Sequence, residues 1–288
     1  MIDVEAIHGT PALRLQDVSI GYSHFADAVS SISFTLERGR RVGIIGESGC
    51  GKSTLGLAIM GLLPWNGEVR AGNILIDGAD MVTMRERERR RLRGNRVGLI
   101  YQDASSSLDP LKRVGTQIAE AITAHAPKTK QINDRVAHAL DDVGLAAANA
   151  QNYPHELSGG MRQRVAIAIA LVNDPVLVIA DEPTTALDVT TQAHVLDLLE
   201  ARVTERDAAL LLITHDLGVV ADRCELTGVM YRGRLVEWGD TSRVLTDPEH
   251  PYTRALVECS HAVIDSDADR LPTMTSWDHD EEGGDDAL

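Results

Sequence analysis

The chain has 288 residues, 43% of them hydrophobic but only 3% aromatic, and a formal net charge of −15. That length can bury a full core resting on Leu, Val, Ile and Ala, and the acidic balance argues against broad nucleic-acid binding. No uninterrupted apolar run reaches the ~20 residues that span a bilayer, Met1-Ile2-Asp3-Val4-Glu5 lacks the basic-then-apolar order of a signal peptide, and Cys50, Cys224 and Cys259 have no metal-like spacing, which suits a reducing cytoplasm.

Leu13 to Ile20 alternates as a strand does and ends at Gly21. Ile32 to Leu36 alternates again before a turn at Arg38-Gly39, and Val42 to Ile45 is a short apolar run of the kind buried on both faces. A helix is predicted over Leu55 to Leu63, stopped by Pro64, and a strand over Gly72 to Gly78. Arg85 to Arg91 interleaves arginine with glutamate, which favours a solvated helix face over a nucleic-acid patch. Val97 to Tyr101 reads as a buried strand, and Val114 to Leu145 as helical with a break near Pro127. Ser158 is a good N-cap for a helix over Gly160 to Leu171. Val176 to Ala180 and Ala209 to Ile213 are apolar strands around a helix at Ala193 to Arg202, and a late hairpin turns at Arg232-Gly233. Strands alternating with helices predict an α/β core with a mostly parallel sheet.

The first chemistry-bearing segment is Gly46-Glu47-Ser48-Gly49-Cys50-Gly51-Lys52-Ser53, which fits G-x-x-x-x-G-K-[ST] between a predicted strand and helix. The N–H groups of Gly49, Cys50, Gly51 and Lys52 can wrap an anion, and the helix N-terminus adds positive potential. Lys52 supplies a charge to the outer phosphates, and the Ser53 hydroxyl is a Mg²⁺ ligand candidate. A chance glycine turn is the bland reading, and the strand-loop-helix context disfavours it. Asp181-Glu182 ends an apolar strand: Asp181 can orient the Mg²⁺ shell, and Glu182 is the candidate base for an attacking water. In isolation the pair reads equally well as a solvated strand end. Cys50, at a helix N-terminus beside Lys52, is expected to have a lowered pKa and to make the site sensitive to alkylation.

Gly46 to Thr54, Gln102, Leu157 to Arg164, Val176 to Glu182, Ala186-Leu187-Asp188 and Thr214-His215-Asp216 occur in an order that resembles the ATP-binding-cassette (ABC) ATPases, over about Leu13 to Gly239. The resemblance implies an ABC ATPase fold: a phosphate-loop core with a mostly parallel sheet, an antiparallel β subdomain and an inserted helical subdomain at roughly 103–160. It implies ATP and Mg²⁺ as cofactors, with Gly46, Ser48, Gly49, Cys50, Gly51, Lys52, Ser53 and Thr54 around the nucleotide. Ser53, Gln102 and Asp181 would serve the metal. Ser158, Gly159 and Gly160 would face the γ-phosphate held by a second protomer, Asp188 would line the dimer seam, and His215 would sense the γ-phosphate. Tyr22 is the candidate to stack on adenine, with Phe25 its rival.

Within that family, Gln102 to Pro110, Asp181 to Thr190 and above all Asp247 to Leu256 resemble the peptide and nickel importer branch. The resemblance divides the chain into a nucleotide-binding domain at 1–240, a short C-terminal extension at 241–264 and an acidic tail at 265–288. Many members of that branch carry a cysteine cluster beyond the extension; here Cys259 stands alone, so no iron–sulfur cluster is expected. The implied function is the ATP-hydrolysing subunit of an importer for dipeptides or oligopeptides, with nickel as a further candidate solute. It would lie at the cytoplasmic face of the membrane. The implied partners are a second ATPase subunit, identical or paralogous, two permease subunits and an extracytoplasmic solute-binding protein, and no nucleic acid. The alternative is a non-transport ABC ATPase acting in DNA repair or on ribosomes.

Overall fold

The computed structural model describes residues 9–23, 27–102, 107–127, 130–185 and 187–264. Strands β1 (Leu13–Tyr22), β2 (Asp27–Leu36) and β3 (Arg41–Ile45) grow from the three runs read as strands, and β3 leads through the phosphate loop into helix α1 (Lys52–Ile59). α1 ends before the predicted Leu63. Gly61 sits at φ 61°, its N–H donates to Ala58 O and the Leu62 N–H donates to Leu57 O, so a left-handed glycine closes the helix ahead of Pro64. Next come β4 (Gly67–Ile76), β5 (Ala79–Asp80), α2 (Glu86–Leu92) and β6 (Val97–Ile100). α2 buries none of its residues and ties Arg93 beyond its end to Glu86, in keeping with a solvated face.

The chain then runs through α3 (Val114–His125), α4 (Ile132–Asp142), 3-10 turns at Ala147–Gln151 and Pro154–Glu156, and α5 (Gly159–Leu171). It returns to the sheet as β7 (Leu177–Asp181), followed by α6 (Val189–Glu205), β8 (Ala209–Ile213), α7 (Leu217–Arg223), β9 (Leu226–Tyr231), β10 (Arg234–Asp240), α8 (Thr241–Thr246) and α9 (Pro251–Ile264). α6 starts earlier than Ala193 because the Asp188 carboxylate accepts the Thr191 N–H and caps it. Phe25, the loop 103–106, Ala186 and the acidic tail 265–288 lie outside the described residues.

Two sheets result. β1, β2, β4 and β5 form an antiparallel sheet in the order β2-β1-β4-β5. The other has the order β10-β9-β3-β8-β7-β6, parallel from β9 to β6 with β10 as an antiparallel edge. The apolar strands explain the layering. Leu177 and Ile179 of β7, with Ala209, Leu211 and Ile213 of β8, pack into a core shared with α1 and the antiparallel sheet. Val178 and Ala180, with Leu210 and Leu212, pack on the opposite face against α3 to α7. Both faces are therefore covered by apolar layers, as a parallel sheet requires.

Register then aligns the strand ends. Ile44 of β3 pairs with Ile213 of β8, and Asp181 of β7 pairs with the same Ile213. Past these pairs, Thr214 N–H donates to Ile44 O and Glu182 N–H donates to Ile213 O. Three loops thus leave the sheet at one edge, the carboxyl edge where open α/β sheets bind ligands.

The helices between β6 and β7 share the core on the Val178 face of the sheet. Ile118 and Ile122 of α3 meet Val136 and Leu140 of α4 and Leu145, all buried. Among the described residues no helix is long and apolar enough to cross a membrane. Ile122 is fully buried, so Ile122→Ala is expected to lower the unfolding free energy by about 2–5 kcal/mol, read by urea denaturation.

Candidate functional site

The aligned strand ends enclose a cleft of about 500 Å³ lined by Ser48, Gly49, Gly51, Lys52, Ser53, Thr54, Gln102, Glu182 and His215. Residues up to 167 positions apart in the sequence meet here, from Ser48 to His215. The phosphate loop folds around its own lysine. Lys52 is 5% exposed, and its Nζ donates to the carbonyls of Gly46 (2.6 Å) and Glu47 (2.7 Å). The Gly51 φ of 108° lets the loop turn directly into α1.

Glu182 is held by three side chains. Its Oε2 accepts from Gln102 Nε2 at 3.1 Å and from Thr185 Oγ1 at 2.9 Å, and its Oε1 lies 3.1 Å from His215 Nδ1. Its backbone has φ 45°, a left-handed conformation that costs energy for a residue with a Cβ. Gln102, Glu182 and His215, singled out separately in the sequence, form one hydrogen-bonded unit. Thr185 belongs to that unit as well, and the sequence reading passed over it. Its only signal was adjacency to Glu182 in Pro183-Thr184-Thr185.

Asp181 lies behind this unit. Burial pushes its carboxyl above the usual carboxylate range, a hydrogen bond from Ser53 opposes the rise, the Glu182 charge adds to it and Lys52 opposes it. Its Oδ1 is buried without a hydrogen-bond partner. An orphaned carboxylate oxygen beside a hydroxyl, with the Gln102 amide across the cleft, is an oxygen-donor set suited to a hard divalent cation. Such a cation would complete its shell with ligand phosphates, since among the described residues no three His, Cys, Asp or Glu side chains converge on one point.

Other expected residues lie elsewhere. None of Ser158, Gly159, Gly160 and Asp188 lines this cleft. Ser158 is exposed and its Oγ accepts the Met161 N–H at 3.3 Å, capping α5. Gly160 has no room for a Cβ, which would stand 2.5 Å from Thr191 Cγ2. The Asp188 carboxyl is held below its usual range, chiefly by the Thr191 amide and then by the Thr191 hydroxyl. Tyr22 sits beside the loop: its Oη is 3.3 Å from Thr54 Oγ1 and its ring packs against Gly67.

Cys50 corrects the sequence reading. Its thiol does not line the cleft, is 8% exposed and packs into the apolar core shared with α1. Burial raises its pKa by more than Lys52, 3.8 Å away, lowers it. A helix N-terminus activates a thiol that faces water, and this one faces the core.

Two consequences can be measured. In the folded chain Cys50 should react with maleimide far more slowly than in urea, as read by mass spectrometry; equal rates would contradict its burial. Asp181 has a higher pKa folded than unfolded. Its contribution to stability is therefore fullest below the unfolded value, about 4, and is lost as pH rises through the folded one. Asp181→Asn should raise the Tm of the nucleotide-free, metal-free chain at neutral pH, with the advantage fading at acid pH.

A family model described as "ABC transporter" matches residues 29–185. The dipeptide transport ATP-binding protein of Lactococcus lactis subsp. cremoris is 41% identical over 270 residues, covering 91% of this chain and 77% of that protein. The oligopeptide transport ATP-binding protein of Bacillus subtilis is 40% identical, covering 93% of this chain and 77% of its own length. The dipeptide counterpart of Escherichia coli is 46% identical, with 81% and 74% covered. Among solved structures, an ATP-binding cassette captured as a dimer in a post-hydrolysis state with ADP and phosphate superposes with a TM-score of 0.71 at 26% identity, covering 80% of this chain and 98% of that one. A component of an ABC transporter complex from Clostridium perfringens gives 0.71 at 28% identity, with 83% and 92% covered.

Proposed function

The chain belongs to the ABC transporter family, and from that premise we propose that it is the ATP-hydrolysing subunit of an importer for dipeptides or oligopeptides. The observation that carries the chemistry is the Glu182 carboxylate, held by Gln102, Thr185 and His215 at the mouth of the phosphate loop. The peptide assignment rests on relatives named for dipeptide and oligopeptide transport. A role in DNA repair or on ribosomes is not favoured, because the similar proteins named above are transport subunits.

In this reading ATP lies with its phosphates against Gly46, Ser48, Gly49, Cys50, Gly51, Lys52, Ser53 and Thr54. Lys52 leaves the carbonyls of Gly46 and Glu47 and turns to the outer phosphates. The backbone amides from Gly49 to Lys52 and the start of α1 hold their charge. Tyr22 stacks on adenine. Ser53, Asp181 and Gln102 would hold Mg²⁺, which when bound supplies positive charge to the departing phosphate oxygens. Glu182 Oε1 or Oε2 takes the proton of the attacking water. Gln102 and Thr185 orient that carboxylate, and His215 spans from it to the γ-phosphate.

Ser158, Gly159, Gly160 and Asp188 belong, in the same proposal, to the second half of a composite site. The exposed N-terminus of α5 would clamp the γ-phosphate of a second subunit, identical or paralogous. Two permease subunits would dock on the helical insertion, placing the chain at the cytoplasmic face of the membrane, and an extracytoplasmic binding protein would deliver the peptide.

Glu182→Gln should reduce ATP turnover by about 10²–10⁴-fold while preserving ATP-dependent association with the partner subunit. Turnover at the parent rate would remove Glu182 from the role of base. Peptide-stimulated ATPase activity of the chain co-purified with its permeases tests the transport assignment.

A further inference from the structure

The run Asp247 to Tyr252 leads into α9, and α9 is not a free surface helix. The Glu237 carboxylate of β10 accepts the N–H groups of Glu249 (2.8 Å) and His250 (3.1 Å), and His250 Nδ1 accepts the Tyr252 N–H at 3.1 Å. These bonds fasten the start of the helix to the sheet. The Tyr252 ring, 8% exposed, stacks on Tyr231 with centroids 4.2 Å apart. Its Oη then accepts the N–H of Glu47 at 3.1 Å, inside the phosphate loop.

The Glu47 N–H and the Gly46 C=O belong to one peptide unit. Lys52 Nζ holds the carbonyl end from within the loop, and Tyr252 Oη holds the amide end from outside. Once Lys52 turns to a nucleotide's phosphates, the carbonyl end is released and the tyrosine hydroxyl remains. Burial pushes the Tyr252 phenol up to about 12, so the group stays neutral and keeps both its donor and its acceptor capacity.

We propose that Tyr252 is a positioning residue for the phosphate loop: its hydroxyl fixes the plane of the Gly46–Glu47 peptide, so the C-terminal helix sets the loop's affinity for nucleotide phosphates. The proposal rests on the ATPase reading given above and gives the extension beyond Asp240 a task within the same site. It acts through a preorganised loop, not through contact with the reacting atoms.

The test uses the full chain, a fluorescent ATP analogue with Mg²⁺, and two variants. Tyr252→Phe keeps the ring and its stack but loses the hydroxyl. It should weaken analogue binding and raise the KM for ATP by about three- to tenfold, with kcat within about twofold and Tm within about 2 °C of the parent. Val257→Ala trims a buried residue of the same helix and should lower Tm while leaving affinity near the parent value. Parent-like binding by Tyr252→Phe, or equal weakening by Val257→Ala, overturns the positioning role alone. A parent chain that binds no nucleotide overturns the ATPase reading and the positioning role together.

Discussion

The cleft depends on the parallel register of β3, β7 and β8, with β6 beside β7 bringing in Gln102. Ile213 is opposite both Ile44 and Asp181, so three strands end level with one another. The phosphate loop, the Asp181-Glu182 pair and the Thr214-His215 turn therefore emerge side by side. Burial on both faces enforces this register. A slip of one residue would exchange the residues facing α1 with those facing the helical layer, against the packing of both. Hydrophobic burial, which has no direction of its own, is in this way converted into the placement of a lysine, two carboxylates and a histidine.

The polar groups gathered there are unequally satisfied. Glu182 is held by three side chains and sits in a left-handed backbone conformation. Asp181 is the opposite case: it is mostly buried, raised in pKa and left with one oxygen unpartnered. Such a carboxylate weakens the free protein, and in the proposed reading a cation arriving with the nucleotide would relieve it, turning the cost in folding into affinity for the ligand. Lys52, bonded to the carbonyls of Gly46 and Glu47, fills the loop with its own charge.

Cys50 and Tyr252 show how one loop reads differently from its two sides. Ser48, Gly49, Gly51 and Lys52 line the cleft, while the Cys50 thiol turns into the core behind it, where burial outweighs the nearby ammonium. Tyr252 arrives at that rear side from a helix some two hundred residues later and satisfies the Glu47 amide that the loop itself leaves free. The C-terminal extension is therefore continuous with the core: its aromatic ring lies on Tyr231, and Tyr231 ends the strand next to β3.

The sequence by itself determined the α/β class, the phosphate loop and the carboxylate pair, because each is written locally: a strand's apolar run, a glycine-lysine-serine spacing, an acidic strand end. It also showed the helical stretch from Val114 to Leu145 and the late hairpin, whose hydrophobic pattern and turn residues lie within a few positions of one another. Helix ends were less legible. α1 ends at Ile59, closed by Gly61 ahead of Pro64, and α6 begins at Val189, capped by Asp188, because hydrogen bonds of individual caps decide them. Only the tertiary structure decided that Gln102, Thr185 and His215 share one carboxylate, that Cys50 faces the core, and that Tyr252 reaches the phosphate loop. Those outcomes follow from which side of a strand or loop a side chain leaves, and that direction is set by packing between segments far apart in the chain.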